Sequence, residues 1–401
     1  MLDRRQFLAA AAASATVFSI GRANAANAPG VTDKEIKIGQ TMPYSGPASA
    51  YGVIGKAEAA YFKMINDQGG VNGRKINLIS LDDGYSPPKT VEQVRRLVEQ
   101  EKVAFLFNTL GTPCNLAIRE YCNKNMVPQL YVATGAAVFS DPAHFKWTTG
   151  FNPSYVNEAR IYGKHILQTK PKGKIAILFQ NDGFGREYVQ GIKEALGAAN
   201  AGMIVKMASY ETTEPTVDSQ VVTLQASGAD ILLIAATPKF AAQAIRKSAD
   251  LGWSGVRYVT NVSVSIATIL KPAGLAKSKG LITATYLKDV TDPRWKDDPD
   301  TKIWRDFCDK HMSRATFTDA NAGYGFVAAS VMTHVLKQCG NDLSRDNVLA
   351  QAEDLKGLRV PLMLPGQTLN TSPTEYDPFT EMQLAQFDGT SWQLIGDLIK
   401  A

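Results

Sequence analysis

Few residues in this 401-residue chain have types and spacings that could do chemistry, and those few argue for binding rather than bond-making. The four histidines, His144, His165, His311 and His334, stand far apart. None falls in an H-E-x-x-H frame, and no serine sits in G-x-S-x-G. "NDGFG" sets Gly183 and Gly185 between a predicted strand and helix but lacks the third glycine of a dinucleotide loop, so it reads as a turn. Cys114 is the one candidate nucleophile; a nearby helix start could lower its thiol pKa, yet no histidine is an evident partner. "FNTLGTPCNLAI" is more informative, because an apolar run stops at Gly-Thr-Pro and a helix follows. Thr112 is expected as its N-cap and Pro113 as its first residue, leaving several N–H groups unpaired. Such a tip attracts an anion, although the same residues also make an ordinary strand-to-helix turn.

Aromatic residues gather near predicted strand ends. Tyr44 and Tyr51 flank the loop after the first strand, Tyr131 ends the fourth, and Phe151, Tyr155, Phe184 and Tyr324 follow at later junctions. In a cleft such rings give flat apolar contact and a phenol that fixes orientation. Core packing accounts for about half of them, Tyr131 first.

The elements that would position these residues alternate strand and helix with short turns, the pattern of a parallel sheet covered on both faces. Strands are predicted at 36–41, 76–81, 103–108 and 128–132, with helices at 54–66, 89–99 and 113–124. After "KWTTGFNPSY" the alternation restarts. "KIAILFQ", "MIVKMASY", "ADILLIAA" and "VRYVT" read as strands, with helices over 184–200 and 239–250. Beyond Lys279 come a strand "LITATY", the Pro- and Asp-rich loop "DVTDPRWKDDPD", helices over 303–312 and 320–338, and a terminal pair of strands. The fold class is therefore α/β, with two Rossmann-like lobes whose strand ends face a cleft.

The N-terminus is set aside from the fold. A charged start, an apolar run from Ala9 to Ile20 and the small-residue end "RANA" make a secretory signal over residues 1–25. Arg4-Arg5 resembles the twin-arginine type, with a plain Sec signal as the alternative. No later segment has about eighteen uninterrupted apolar residues, as a spanning helix needs. The expected product is a soluble, exported, periplasmic protein. Lys and Arg exceed Asp and Glu by 43 − 38 = +5; removing the leader's +2 leaves +3, with both signs interspersed, which argues against a nucleic-acid partner. The cysteines fit no zinc spacing and no C-x-x-C pair. On one helix Cys114 and Cys122 lie about 12 Å apart, too far to bridge. Cys308 and Cys339, on successive predicted helices, are a possible disulfide in an oxidising compartment.

"IKIGQTMPYSGPASAYG", "AAYFKMINDQGGVNGRKINLISLDDGYSPPKTVEQVRRLV", "NTLGTPCNLAI" and "QNDGFGREYVQGIKEAL" together resemble the periplasmic solute-binding proteins of branched-chain amino-acid-type ABC importers. The resemblance runs over nearly the whole mature chain. It implies a type I periplasmic-binding fold, with two lobes joined by three crossovers and closing on a small ligand. The implied division is 27–150 plus 287–362 for one lobe and 151–286 plus 363–401 for the other. It also implies no catalysis, no cofactor and no metal, a monomer, and delivery of ligand to a membrane permease with two ATPase subunits. By the same resemblance, Gly111 and Thr112 hold the ligand carboxylate, with Ala133 and Thr134 on the adjacent loop. Tyr51 and Tyr324 reach in from the first lobe, and Tyr155, Phe184 and Thr237 from the second.

The chain departs from the family at one place. Amino-acid-binding members hold the ligand ammonium with an acid from the second lobe, and the matching "TNVSVS" has Val262 there. Burying an unpaired ammonium costs several kcal/mol, so the expected ligand is a carboxylate with an apolar or aromatic body, of benzoate or phenylpropanoid type. An amino-acid receptor of the same family is the alternative. A sensory binding domain or an exported enzyme is less favoured.

Overall fold

The computed structural model describes residues 28–400; the signal expected over 1–25 lies outside them. Two sheets organise the chain. The first holds β1 (Glu35–Met42), β2 (Lys75–Asp82), β3 (Phe105–Phe107), β4 (Gln129–Val132) and β5 (Thr148–Gly150) in the order β2-β1-β3-β4-β5, every pair parallel. Between them run α1 (Gly52–Asp67), α2 (Pro87–Arg95) and α3 (Thr112–Lys124). The chain starts in the middle of this sheet, moves outward to β2, then jumps back to β3. The loops after β1 and β3 therefore leave in opposite directions and open a crevice at their carboxyl ends.

The second sheet repeats the arrangement. It holds β6 (Ile175–Gln180), β7 (Ile204–Tyr210), β8 (Ile231–Ala235), β9 (Val256–Val259), β10 (Ile282–Thr285), β11 (Glu381–Phe387) and β12 (Trp392–Lys400). The order β12-β11-β10-β9-β8-β6-β7 puts its switch point between β6 and β8. Every residue of β8, "ILLIA", is buried, as expected of a parallel strand covered on both faces. This sheet is not wholly parallel, because β11 and β12 pair antiparallel with their neighbours. The cause is local. Only four residues, Asp388 to Ser391, join the two strands, and the Asp388 carboxylate accepts from the amides of Thr390 (2.7 Å) and Ser391 (2.9 Å) to close a tight turn.

Around this sheet lie α4 (Tyr155–Thr169), α5 (Gly183–Asn200), α6 (Asp218–Ala226), α7 (Pro238–Asp250) and two short turns, α8 (Lys271–Ala273) and α9 (Leu275–Ser278). Helices α4 and α6 lie where the sequence reading assigns no element. Helices α10 (Pro299–His311), α11 (Ala320–Gln338) and α12 (Arg345–Ala352) follow, and α11 packs along α1. Gly325 permits that approach, since a Cβ there would stand 2.6 Å from the Ile54 carbonyl oxygen. The chain passes between the sheets after β5, after β10 and again before β11. The last two passages run antiparallel and are tied together, Lys288 N to Leu362 O at 2.8 Å and Leu364 N to Tyr286 O at 3.2 Å.

The disulfide expectation is corrected: Cys308 and Cys339 are both free and buried, as are Cys114 and Cys122. Phe307, next to Cys308, packs its ring 5.0 Å from that of Phe326 in α11. Cys339 caps the far end of the same helix, about 20 Å further along the axis and well beyond the reach of a bridge. Among the described residues, no helix is long and apolar enough to cross a membrane.

Candidate ligand-binding cleft

The two switch points face each other across a cleft of about 1300 Å³, part of it open to solvent. On the first-lobe side the helix start differs from expectation in one detail. Gly111, not Thr112, is the N-cap, with φ 100° and ψ 136°. Only glycine takes that conformation readily, so the helix begins one residue early and Thr112 becomes its first residue. No side chain caps this end. Pro113 has no N–H, which leaves the amides of Thr112 and Cys114 without an intrahelical acceptor. The freed Thr112 hydroxyl instead pairs with that of Thr134 at 2.7 Å.

Asn115 holds this tip rigid. Its amide nitrogen donates to the carbonyls of Thr109 (2.8 Å) and Gly111 (2.9 Å), and its backbone N–H to Gly111 O at 3.0 Å. Ala133 joins in, donating to Thr109 O at 2.9 Å and accepting from Gly111 N at 3.3 Å. The Gly111→Ala substitution tests the arrangement. Its Cβ would fall 2.5 Å from the Tyr85 ring, and its φ would be strained. We expect a loss of about 2 kcal/mol in urea unfolding and a loss of ligand affinity of about tenfold or more by calorimetry.

The facing helix start is already filled. Asp182 caps α5, accepting from Gly185 N at 3.2 Å and from the Gln180 side chain at 2.6 Å. Gln180 Oε1 in turn accepts from Thr237 Oγ1 and Tyr210 Oη, each at 3.0 Å. The Thr237 hydroxyl is thus engaged within its own lobe, although the residue lines the cleft. The two tips nearly meet, for a Cβ on Gly183 would lie 3.1 Å from Thr112 Cγ2. One of them is saturated by a carboxylate of the protein; the other is open to an external one.

Aromatic rings wall the space. Tyr155 and Phe184 meet edge to face with centroids 5.0 Å apart, backed by Tyr188. Tyr324 is fixed by two bonds, its hydroxyl donating to Asn152 Oδ1 at 2.8 Å and accepting from Asn108 Nδ2 at 3.0 Å. Tyr51 and Val262 also face the cleft. Of the ten residues expected here, Thr134 alone does not line it and instead supports Thr112 from behind. Tyr44, Tyr131 and Phe151 do not line it either. Tyr131 is fully buried and its hydroxyl donates to Ala352 O at 3.0 Å.

The sequence reading missed Tyr85, Asn152 and Tyr286, which line the cleft. Tyr85 carried a signal, since the "DDGYSPP" turn forces it to φ 60° and swings its ring inward, where Gln180 Nε2 crosses from the other lobe at 3.4 Å. A second contact between the lobes runs from Ala137 N to the Glu187 carboxylate at 3.0 Å.

Two acids line the cleft; Asp289 is occupied on both oxygens, and Asp319 on Oδ1 but not Oδ2. Asp289 accepts from Thr291 and from Trp392 N (2.8 Å), and Asp319 from Ser265 Oγ (2.8 Å) and Asn321 N (3.1 Å). Behind Val262, Glu158 is fully buried. It accepts from Tyr162 Oη (2.5 Å), Tyr188 Oη (2.7 Å) and Asn261 N (2.8 Å), and burial pushes its pKa up to about 7 against the pull of those donors. Burial likewise pushes the Cys114 thiol up to about 12, with the charges of Asp83 and Asp182 in the same direction. A thiol so held is not a ready nucleophile.

A family model described as "Periplasmic binding protein" matches residues 35–391. An amino acid binding protein of Pseudomonas aeruginosa is 23% identical over 60% of this chain, which spans 64% of that relative's length. A fatty acid ABC transporter substrate-binding protein from Thermomonospora curvata superposes with a TM-score of 0.77 at 21% identity, covering 94% of this chain and 95% of its own. An ABC transporter solute-binding protein from Rhodopseudomonas palustris, solved with 3,4-dihydroxybenzoic acid, superposes with a TM-score of 0.76 at 17% identity, covering 92% and 98%. These are substrate-binding proteins and not enzymes. With its two facing α/β lobes and a family match over most of its length, this chain belongs to the periplasmic binding protein family.

Proposed function

We propose that this protein is the extracytoplasmic receptor of an ABC importer, closing on a small carboxylate with an apolar or aromatic body. The observation that carries the reading is the uncapped start of α3, with the Thr112 hydroxyl beside two free amides, set opposite a helix start already filled by Asp182. Rings of Tyr51, Tyr155, Phe184 and Tyr324 supply the apolar contact. Asp289 is taken up on both oxygens, whereas Asp319 is engaged through Oδ1 alone. Closure then desolvates the carboxylate against the helix tip, while the ring or chain lies between the lobes. Export by the leader, a monomeric state and a permease with ATPase subunits as the partner belong to the same reading.

Calorimetric titration with 3-phenylpropionate, benzoate and leucine tests it, with binding expected for the first two. Micromolar leucine binding without any signal from the aromatic acids would refute it. The amino-acid reading is favoured by the names of the Pseudomonas relative and of a Leu/Ile/Val-binding protein homologue of Brucella abortus, by the valine bound to a Thermus thermophilus neighbour, and by Asp319, whose Oδ2 has no hydrogen bond. Val262→Asp separates the two. Placing an acid where the cleft has none should raise leucine affinity about tenfold or more and weaken 3-phenylpropionate by a similar factor. If the substitution leaves leucine affinity unchanged, an ammonium is not handled at that position.

A further inference from the structure

The cleft does not end at the rings around Thr112. Its lining also takes in, besides Tyr324 and Tyr286, an apolar arm of Trp295, Trp304, Phe317, Val264, Ile266 and Trp392. The chemistry of this arm differs from that of the helix tip. Both buried indole N–H groups are spent on backbone, Trp304 Nε1 on Phe317 O at 2.9 Å and Trp392 Nε1 on Val264 O at 3.0 Å. Those side chains therefore present only apolar surface to the arm.

Its cations are paired as well. Lys288, with a side chain 1% exposed, donates to Asp298 and Asp300 at 2.8 Å each, and Arg359 reaches Asp300 at 2.8 Å. The same ammonium lies 5.0 Å from the Trp295 ring centroid, which holds that ring over the arm. Asp289 is occupied on both oxygens, and Asp319 is held by Ser265 and Asn321 through Oδ1. One donor is left over: Asn321 lines the arm, is 8% exposed, and its Nδ2 has no partner. An unpaired buried amide is costly.

We infer that the arm receives the far end of an extended ligand, so that the acid bound at α3 carries an elongated acyl or arylalkyl chain. This rests on the carboxylate reading above and adds the length of the substrate. A ligand of leucine or benzoate size would leave the arm filled with water against apolar walls, whereas a longer chain releases that water at about 0.8 kcal/mol for each buried methylene.

Gly323 allows a direct block. It lines the arm from α11, and a Cβ there would meet only Leu362 Cδ1, at an ordinary 3.5 Å. The longer side chain of Gly323→Leu therefore extends into the arm, and helix propensity favours the change. Titrate butanoate, hexanoate, octanoate and decanoate into the full mature protein, following heat and tryptophan emission together. Affinity should rise about tenfold or more from hexanoate to decanoate, with an emission shift from the arm tryptophans that butanoate does not produce. Gly323→Leu should erase that gain and leave butanoate within about twofold. Ala320→Phe, at the mouth of the arm, serves the same comparison should the first variant fold poorly. Flat affinity along the series, or equal losses for short and long acids in the blocked variant, would overturn the inference while leaving the carboxylate site standing. Failure of every acid to bind would overturn both.

Discussion

Thr112→Asp abolishes acid binding, with a loss of about 100-fold or more, and leaves the fold as stable as before. The substitution puts a carboxylate at the first residue of α3, where the wild-type hydroxyl and two free amides converge. The new charge takes up those donors and repels the ligand's own carboxylate, and like charges in a closed site cost several kcal/mol. The helix itself gains, because an acidic residue in the first turn complements the partial positive charge there. Thr112→Val, which removes only the hydroxyl, should cost about tenfold. Calorimetry gives the affinities and thermal melting the stability. Loss of binding together with a large fall in melting temperature would mean that the residue is structural, and unchanged binding would remove it from the site.

Glu158→Ala has the largest expected effect on stability. Two buried tyrosine hydroxyls and the Asn261 amide end on this carboxyl, and truncation strands Tyr188 Oη and Asn261 N, while Tyr162 Oη keeps Val259 O at 3.0 Å. A loss of about 3–5 kcal/mol is expected. It should carry ligand affinity down with it, since Asn261 positions Val262. Glu158→Gln keeps the shape and an acceptor for two of the donors, so it folds, and it changes the pH dependence. The folded-state pKa of Glu158 is raised to about 7 from 4.5, so folding takes up a proton between those values. Stability from this group is full below about 4.5, falls as pH rises to about 7, and is level above, a span of about 3 kcal/mol. Glu187 is also pushed up to about 7, by burial and then by Asp377 and Asp182. The measurement is therefore the difference between wild type and Glu158→Gln in urea unfolding at pH 5 and pH 8. The glutamine variant should lose part of the fall in stability with rising pH. Identical slopes would mean that Glu158 ionises normally.

The parts of the fold that were legible are those where burial dictates composition. Strands β6 and β8 are covered on both faces and read as unbroken apolar runs. Helix α11, buried along most of its length, is read with both its ends. Helix α4 was not assigned, although its signals are present: Ser154 caps it by accepting from Asn157 N at 3.4 Å, and Val156, Ala159, Tyr162 and Ile166 form its buried face. The preceding "NPSY" reads as loop and hides the cap. The one-residue shift at Thr112 has a physical cause. A glycine at positive φ can take over as N-cap, and a sequence pattern prefers the hydroxyl residue because it scores only side-chain caps. The proposed Cys308–Cys339 bridge failed for want of an axial coordinate. Chain order makes the helices neighbours but does not say which ends meet. The aromatic arm was out of sight for a similar reason, because its walls come from separate stretches of chain that only the folded chain brings together.

The most direct test is a crystal structure of the mature protein with the tightest-binding acid from the titrations above. The account predicts one carboxylate oxygen within hydrogen-bonding distance of Thr112 Oγ1 and an amide at the start of α3, with the apolar body running toward Tyr324. An acid seated elsewhere in the cleft, with that helix start holding only water, would contradict it.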